Sequence, residues 1–315
     1  MFQNLRLLIS KNKKREKNKI GLDWGFSSLK VVILESQEQH TYVLKDARII
    51  GLPSEGLNLT SLIKDLDLSC GVNLGICGPN VVVRYVTLAK MNEDEFRNSL
   101  RYEAASHLPF PIEEVNLDGV ILKDLPDNRM LVMLAAARKD FINQRLKLFQ
   151  EAGIKVNILD IDSLALINAF NFTHPQTPQD NILSQAVAIL NIGASVTNIN
   201  ILKEGIPYFS RDIDVAGNDF VRDTHREAAV TNFVAEIRKS FDYYEAESAA
   251  IINKIFLSGG GSLVSGLVEN LENLLGIQTE QWDPFLNFEF ADGLNEADIR
   301  KCSAQFAVAV GLALR

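Results

Sequence analysis

The chain has 315 residues, 47% of them apolar and 23% charged, with a formal net charge of −8. That length carries two domains with cores of their own, and an acidic body argues against sequence-independent nucleic-acid binding, which needs a basic face. No apolar run is long enough to span a bilayer and no secretory signal is evident, so a soluble protein is expected; three cysteines without CxxC spacing and four histidines support neither a disulfide framework nor a zinc site.

The charge is uneven. Residues 1–19 hold seven Lys/Arg and one Glu, net +6, which leaves −14 on the remainder. Two readings of this start stand side by side: contact with an anionic membrane face, on the order of 1 kcal/mol per nearby basic residue, or a disordered, solvated leader. The disordered leader is the expectation for residues 1–18.

Lys19 to Leu34 reads as two strands joined by the turn Asp23-Trp24-Gly25-Phe26-Ser27, and Tyr42 to Ile50 as a third, ending at Leu52-Pro53-Ser54. Two further extended runs lie within Gly71–Val86. Asn92-Glu93-Asp94-Glu95 then opens a helix with acidic residues where the helix dipole favours them, and the helix stops near Leu108-Pro109-Phe110-Pro111. Strands at Val115–Leu122 and Met130–Ala136 and a helix at Lys139–Ala152 complete an inserted unit. Lys155–Asp160 is a strand, Asp162–Phe170 a helix and Thr173–Asp180 a loop. Gln185–Asp214 repeats the opening pattern with Asn191-Ile192-Gly193-Ala194-Ser195 at its first turn. Phe220–Ala250 reads as helical throughout, and Ile255–Ser258 is a buried strand running into Gly259-Gly260-Gly261-Ser262 and a helix that ends at Leu275-Gly276.

The repeated strand, Gly/Ser turn, strand pattern carries chemistry. Its glycine lets backbone approach a ligand, successive amides and hydroxyls face an anion, and an acid at the strand end can hold a hydrated divalent cation. For either copy alone an ordinary hairpin turn competes with this reading; a repeat with matching flanks argues against it. The Gly-Gly-Gly turn offers another close backbone approach, with a tight strand-to-helix connection as its competitor.

In order, the two hairpins and the Gly-Gly-Gly turn resemble the two phosphate loops and the adenosine loop of the actin-like ATPase superfamily. The segments Arg101–Pro111, Glu114–Asp118, Leu134–Lys139, Glu151–Ile154 and Gly311–Arg315 look like the PilM family of type IV pilus assembly proteins. That resemblance, over roughly residues 18–315, implies an α/β actin-like ATPase fold of two lobes, each a mixed sheet flanked by helices, with an inserted FtsA-like α+β subdomain. It implies a first lobe of 19–90 and 155–182 interrupted by an insertion at 91–154, a second lobe at 183–290 and a C-terminal helix within 291–315 returning to the first lobe.

It also implies ATP and Mg2+ as ligands. Asp23 would orient hydrated magnesium, Gly25, Ser27 and Ser28 would contact phosphate, and Lys30 would supply positive charge. Asn191, Gly193, Ala194, Ser195 and Thr197 would form the second phosphate loop, and Gly259, Gly260, Gly261 and Ser262 would lie against the nucleoside. Glu236 and Lys239, three apart on one helix face, would grip it, with a surface charge pair as the competing reading. Asn191 stands where the family has an aspartate, and the chain is short between Phe220 and Glu236. Losing that carboxylate should harm turnover more than binding, so at most a weak ATPase is expected.

The implied partner is a PilN-like bitopic membrane protein, bound through its cytoplasmic N-terminal tail at the inner membrane. Tyr102, Pro109, Phe110 and Pro111 are candidates for that surface, against a competing reading of Phe110 as core and the prolines as helix stops. Pilus motor ATPases and further copies of the chain are additional partners to consider; nucleic acid is not. Two alternatives remain: a small-molecule kinase, for which Asp160 or Asp162 could sit near the cleft, and an FtsA-like filament former, which usually ends in a membrane helix where this chain stops at Arg315.

Overall fold

Alternating apolar residues flatten the start of the chain into a meander of β2 (Asn18–Trp24), β3 (Ser28–Ser36) and β4 (Tyr42–Gly51), in a computed structural model that describes residues 8–9, 17–37, 41–53, 58–175, 185–221, 226–248 and 250–315. The short helix α1 (Leu59–Leu62), capped by the Asn58 side chain, leads to β5 (Val72–Ile76), which lies parallel to β2 and is buried at every position. β9 (Val156–Ile161) pairs parallel with β5. Parallel central strands are covered on both faces, which is why β5 shows no polar alternation. β1 (Leu8–Ile9) pairs antiparallel with β9, placing Leu8 opposite Leu159 and Ile9 opposite Ile158. This corrects the disordered reading of the leader at those two positions, as Asn18 at the start of β2 does at its end; 1–7 and 10–16, the end of the expected turn at Ser54 and the 176–180 part of the expected loop lie outside the described residues.

The second sheet repeats this topology. β10 (Ala186–Ile192), β11 (Thr197–Lys203) and β12 (Ile206–Ile213) form an antiparallel meander, and β13 (Ile252–Ser258) and β14 (Gln278–Gln281) add in parallel on the β10 side. The order β12-β11-β10-β13-β14 thus matches β4-β3-β2-β5-β9 strand for strand. Glu204 and Gly205, both at positive φ, make the tight turn between β11 and β12. The continuous helix expected over Phe220–Ala250 is instead α5 (Gly217–Phe220) and α6 (Arg226–Ser248), with 222–225 outside the described residues. Burial explains the break. Phe220 and Phe233 stand 5.2 Å apart ring to ring, whereas thirteen residues of one helix would separate them by about 20 Å.

A third sheet, β6-β8-β7, is built from β6 (Val81–Ala89), β7 (Val115–Leu125) and β8 (Arg129–Arg138). β8 is buried on both faces, so its two alternating sets serve two cores. Met130, Val132 and Leu134 pack with Phe96 and Ala104 of α2 (Glu93–Ala105), while Leu131, Met133, Ala135 and Ala137 join the first-lobe core. Asn92 and Glu95 close a capping box at the start of α2, as the acidic helix opening leads one to expect. β6 pairs with β8 along its whole length, from Val81↔Ala137 to Ala89↔Arg129. The inserted unit therefore begins at Val81, not at 91: an apolar strand reads the same whichever sheet it joins. α3 (Lys139–Glu151) returns the chain to β9, with Phe149 edge-on to Trp24.

The first lobe closes around α4 (Asp162–Thr173) and α9 (Ala307–Ala313). α9 follows α7 (Leu267–Leu275), the short strand β15 (Glu289–Phe290) paired with β4, and α8 (Glu296–Lys301). It is buried at every residue and lies between β2 and α4 at backbone contact: a methyl at Gly21 would overlap the Ala309 carbonyl, and one at Gly311 the Ala165 carbonyl. The Arg315 guanidinium is locked on the buried Asp160 carboxylate at 2.5 Å, and Asn73 donates to the Leu312 carbonyl at 2.9 Å. Because neither backbone can move aside alone, Gly311→Ala should lower the unfolding free energy by about 3 kcal/mol; a loss below about 1 kcal/mol in urea denaturation would contradict this packing.

Candidate functional site

The two repeated turns have the same geometry. In the first the Gly25 amide donates to the Ser28 carbonyl at 3.1 Å, and in the second the Gly193 amide donates to the Val196 carbonyl at 3.0 Å. No described backbone carbonyl accepts from the amides of Phe26, Ser27, Ala194 or Ser195, which leaves them for a ligand. Gly193 is required by contact, since a Cβ there would stand 2.7 Å from the Val196 backbone oxygen, whereas a Cβ at Gly25 would stand 2.5 Å from Lys30 Nζ and displace that side chain from the turn.

What the flanking strands place opposite one another differs. Asp23 faces Lys30 across the first hairpin, with Nζ 3.2 Å from the carboxylate. Asn191 faces Asn198 at the equivalent register of the second. Asn198 donates to Asp212 at 2.6 Å, and Asn191 accepts from the Ser258 hydroxyl at 3.3 Å. A charged pair in one half is an amide pair in the other.

Both turns open into one cleft of about 1000 Å³, and the Gly259–Gly261 segment enters it too. Asp23, Gly25, Ser27, Ser28, Lys30, Asn191, Gly193, Ala194, Ser195, Gly259, Gly260 and Gly261 all line it. Gly259 and Gly261 owe their lack of a side chain to Ile192, which a methyl at either would overlap; Gly260 is exposed to the cleft. Four other residues do not line it. Thr197 is fully buried and donates to the Val215 carbonyl at 2.8 Å, and the Ser262 hydroxyl turns back to the Gly259 carbonyl at 2.7 Å. Glu236 binds Lys239 at 2.5 Å and Arg211 at 2.9 Å, so it reaches the cleft only through Arg211, which lines the wall. Tyr102, Pro109, Phe110 and Pro111 also lie apart from the cleft, on the inserted unit. Tyr102 is 84% exposed, both prolines are exposed, and Phe110 is half-buried outside the hydrophobic clusters.

The cleft also gathers Asp162, which the kinase alternative places near it, and residues that no local motif announces: Cys77, Arg84, Arg145, Asp212 and Asp214. Its lining sets four cations (Lys30, Arg84, Arg145, Arg211) among four acidic residues (Asp23, Asp162, Asp212, Asp214), within a chain of net −8. Asp162 is the first residue of α4, and its Oδ1 is buried without a hydrogen-bond partner in space that a methyl at Gly75 would fill. Burial first, and then the nearby Asp23 charge, push its carboxyl up to about 7. Asp162 in turn pushes the neighbouring Cys77 thiol up. Asp160, by contrast, is taken up by Arg315 and does not line the cleft. Among the described residues no three His, Cys, Asp or Glu side chains converge as a metal cage.

Since the folded Asp162 holds its proton above the unfolded value, its burial weakens the fold increasingly as pH rises from about 4 to about 7. Asp162→Asn should therefore stabilise more at neutral pH than in mild acid. The gain should grow by about 3 kcal/mol between about pH 4.5 and about pH 7.5, and a pH-independent difference in denaturation would refute the burial.

Among solved structures, the fold superposes on a PilM-PilN type IV pilus biogenesis complex with a TM-score of 0.84 at 24% identity, covering 96% of this chain and 99% of that one. The ethanolamine utilization protein EutJ from Carboxydothermus hydrogenoformans matches at TM-score 0.49 and 12% identity, over 96% of this chain and 91% of that one. A Bacteroides thetaiotaomicron protein with an actin-like ATPase fold matches at 0.49 and 14%, over 88% and 95%. The duplicated meander-plus-parallel-strand topology, carrying an inserted α+β unit, is shared with the PilM-PilN structure. The family model for type IV pilus assembly protein PilM matches residues 21–232 and 227–315, and the chain belongs to that family.

Proposed function

We propose that the protein is a nucleotide-binding scaffold of a type IV pilus assembly complex, peripheral to the cytoplasmic face of the inner membrane, that takes the N-terminal tail of a PilN-like membrane protein. The observation that carries the nucleotide part is the pair of equivalent turns with open amides in one cleft that also holds four cations. The residues fit ATP with Mg2+. Turn amides and the Ser27, Ser28 and Ser195 hydroxyls suit the phosphates, Lys30 adds charge, Asp23 suits a hydrated cation, and Gly259–Gly261 allow a nucleoside to approach backbone. Bound magnesium would supply charge neutralisation at the phosphates.

The amide pair Asn191/Asn198 in place of a charged pair supports binding with little turnover. Hydrolysis needs developing charge to be met by fixed groups, and the second wall offers neutral ones. The PilN-like partner is supported by family membership and by the likeness to a PilM-PilN complex. Tyr102, Pro109 and Pro111 are exposed and Phe110 is half-buried on the inserted unit, which supports them as candidates for holding an extended peptide. No helix among the described residues is long and apolar enough to cross a membrane.

Calorimetric titration with ATP plus magnesium, then with a synthetic PilN-like tail peptide, tests both parts. Both ligands should bind to the wild type; Tyr102→Ala should weaken the peptide about tenfold, roughly 1.4 kcal/mol, and leave ATP unchanged. A peptide that does not bind would remove the scaffold reading. Asn191→Asp should raise magnesium-dependent ATP hydrolysis tenfold or more, about 1.4 kcal/mol of barrier, and an unaltered rate would show that the missing carboxylate does not limit turnover.

A further inference from the structure

The inserted unit walls one side of the cleft, and it brings a cation there. Arg145 lies on α3, half-buried, with its guanidinium carbon 4.6 Å over the Trp24 ring and 5.6 Å from the Phe141 ring centroid. It lines the cleft with Asp162 and Cys77. Two other cleft cations are ion-paired, Lys30 with Asp23 at 3.2 Å and Arg211 with Glu236 at 2.9 Å, and Arg84 on β6 donates to the Val83 carbonyl at 3.1 Å. Arg145 has no carboxylate within ion-pair distance among the described residues, although burial removes part of its hydration. Stacking on the indole holds the planar fork in place, and such a fork matches two oxygens of one phosphate. Trp24 immediately precedes the Gly25 turn in the chain, so the stack ties the guanidinium to the part of the cleft lining that carries the first turn.

We propose that Arg145 is a ligand for the phosphate tail of the bound nucleotide, contributed by the inserted unit, so that occupancy of the cleft is registered by α3. This rests on the nucleotide reading above. It gives the insertion, which carries the proposed peptide surface, a direct contact with the ligand held between the lobes.

The test uses the full chain and two variants. Arg145→Met keeps an apolar stem on Trp24 without the charge; Arg145→Lys keeps the charge without the fork. Magnesium-ATP affinity should fall about tenfold or more in Arg145→Met and by less in Arg145→Lys, with unchanged thermal melting of the free protein. In the wild type, ATP should slow amide exchange across 139–151, and Arg145→Met should abolish that protection. Equal ATP affinity in wild type and Arg145→Met, or protection of α3 that persists in the variant, overturns the proposal and leaves the nucleotide reading standing. A wild type that binds no ATP overturns both.

Discussion

The structure depends on one close approach, that of α9 to β2 and α4. Gly21 and Gly311 bring the helix backbone against the sheet on one side and against α4 on the other, and the alanines around them leave no side chain to intervene. Packing at this distance transmits displacement with little slack. β2 ends in Asp23-Trp24 and leads into the first turn, and α4 begins with Asp162, so the same contact that closes the first core fixes the separation of the two carboxylates in the cleft. The Arg315–Asp160 pair at the end of α9 secures this arrangement from beneath.

The second lobe solves the same topological problem with different chemistry. Its meander and parallel strands repeat those of the first, and its glycines interlock: the Gly217 amide donates to the Gly193 carbonyl at 2.9 Å, with Gly261 packed against Gly217. Its strands meet through Asn191 and Asn198 where the first lobe uses Asp23 and Lys30. The inserted sheet bridges the two halves. Its β8 contributes to the first-lobe core, and Lys123 on β7 pairs with Glu204 at the β11–β12 turn.

The hairpin turns were legible in the sequence because their signal is local: a glycine, small hydroxyl residues and apolar flanks within ten positions. The capped start of α2 was legible for the same reason. Sheet membership is not local, and the apolar pattern of β6 does not say which sheet it joins; only its register against β8 assigns it. The break before α6 is tertiary too, since it follows from the Phe220–Phe233 contact. At the site, Thr197 and Ser262 match the motif in type, but their hydroxyls point into the fold. Arg145 and Cys77 come from segments far from either turn, where no spacing rule connects them to the cleft.

The position of the two tryptophans makes the molecule its own spectroscopic probe. Trp24 is half-buried at the cleft beneath a guanidinium, so its emission responds to events at that wall. Trp282 is buried in the core, donates to the Thr173 hydroxyl at 3.0 Å and packs edge-on against Phe170, so its emission changes only when the core opens. Quenching that reaches the first indole and spares the second separates movement at the cleft from unfolding without any attached dye.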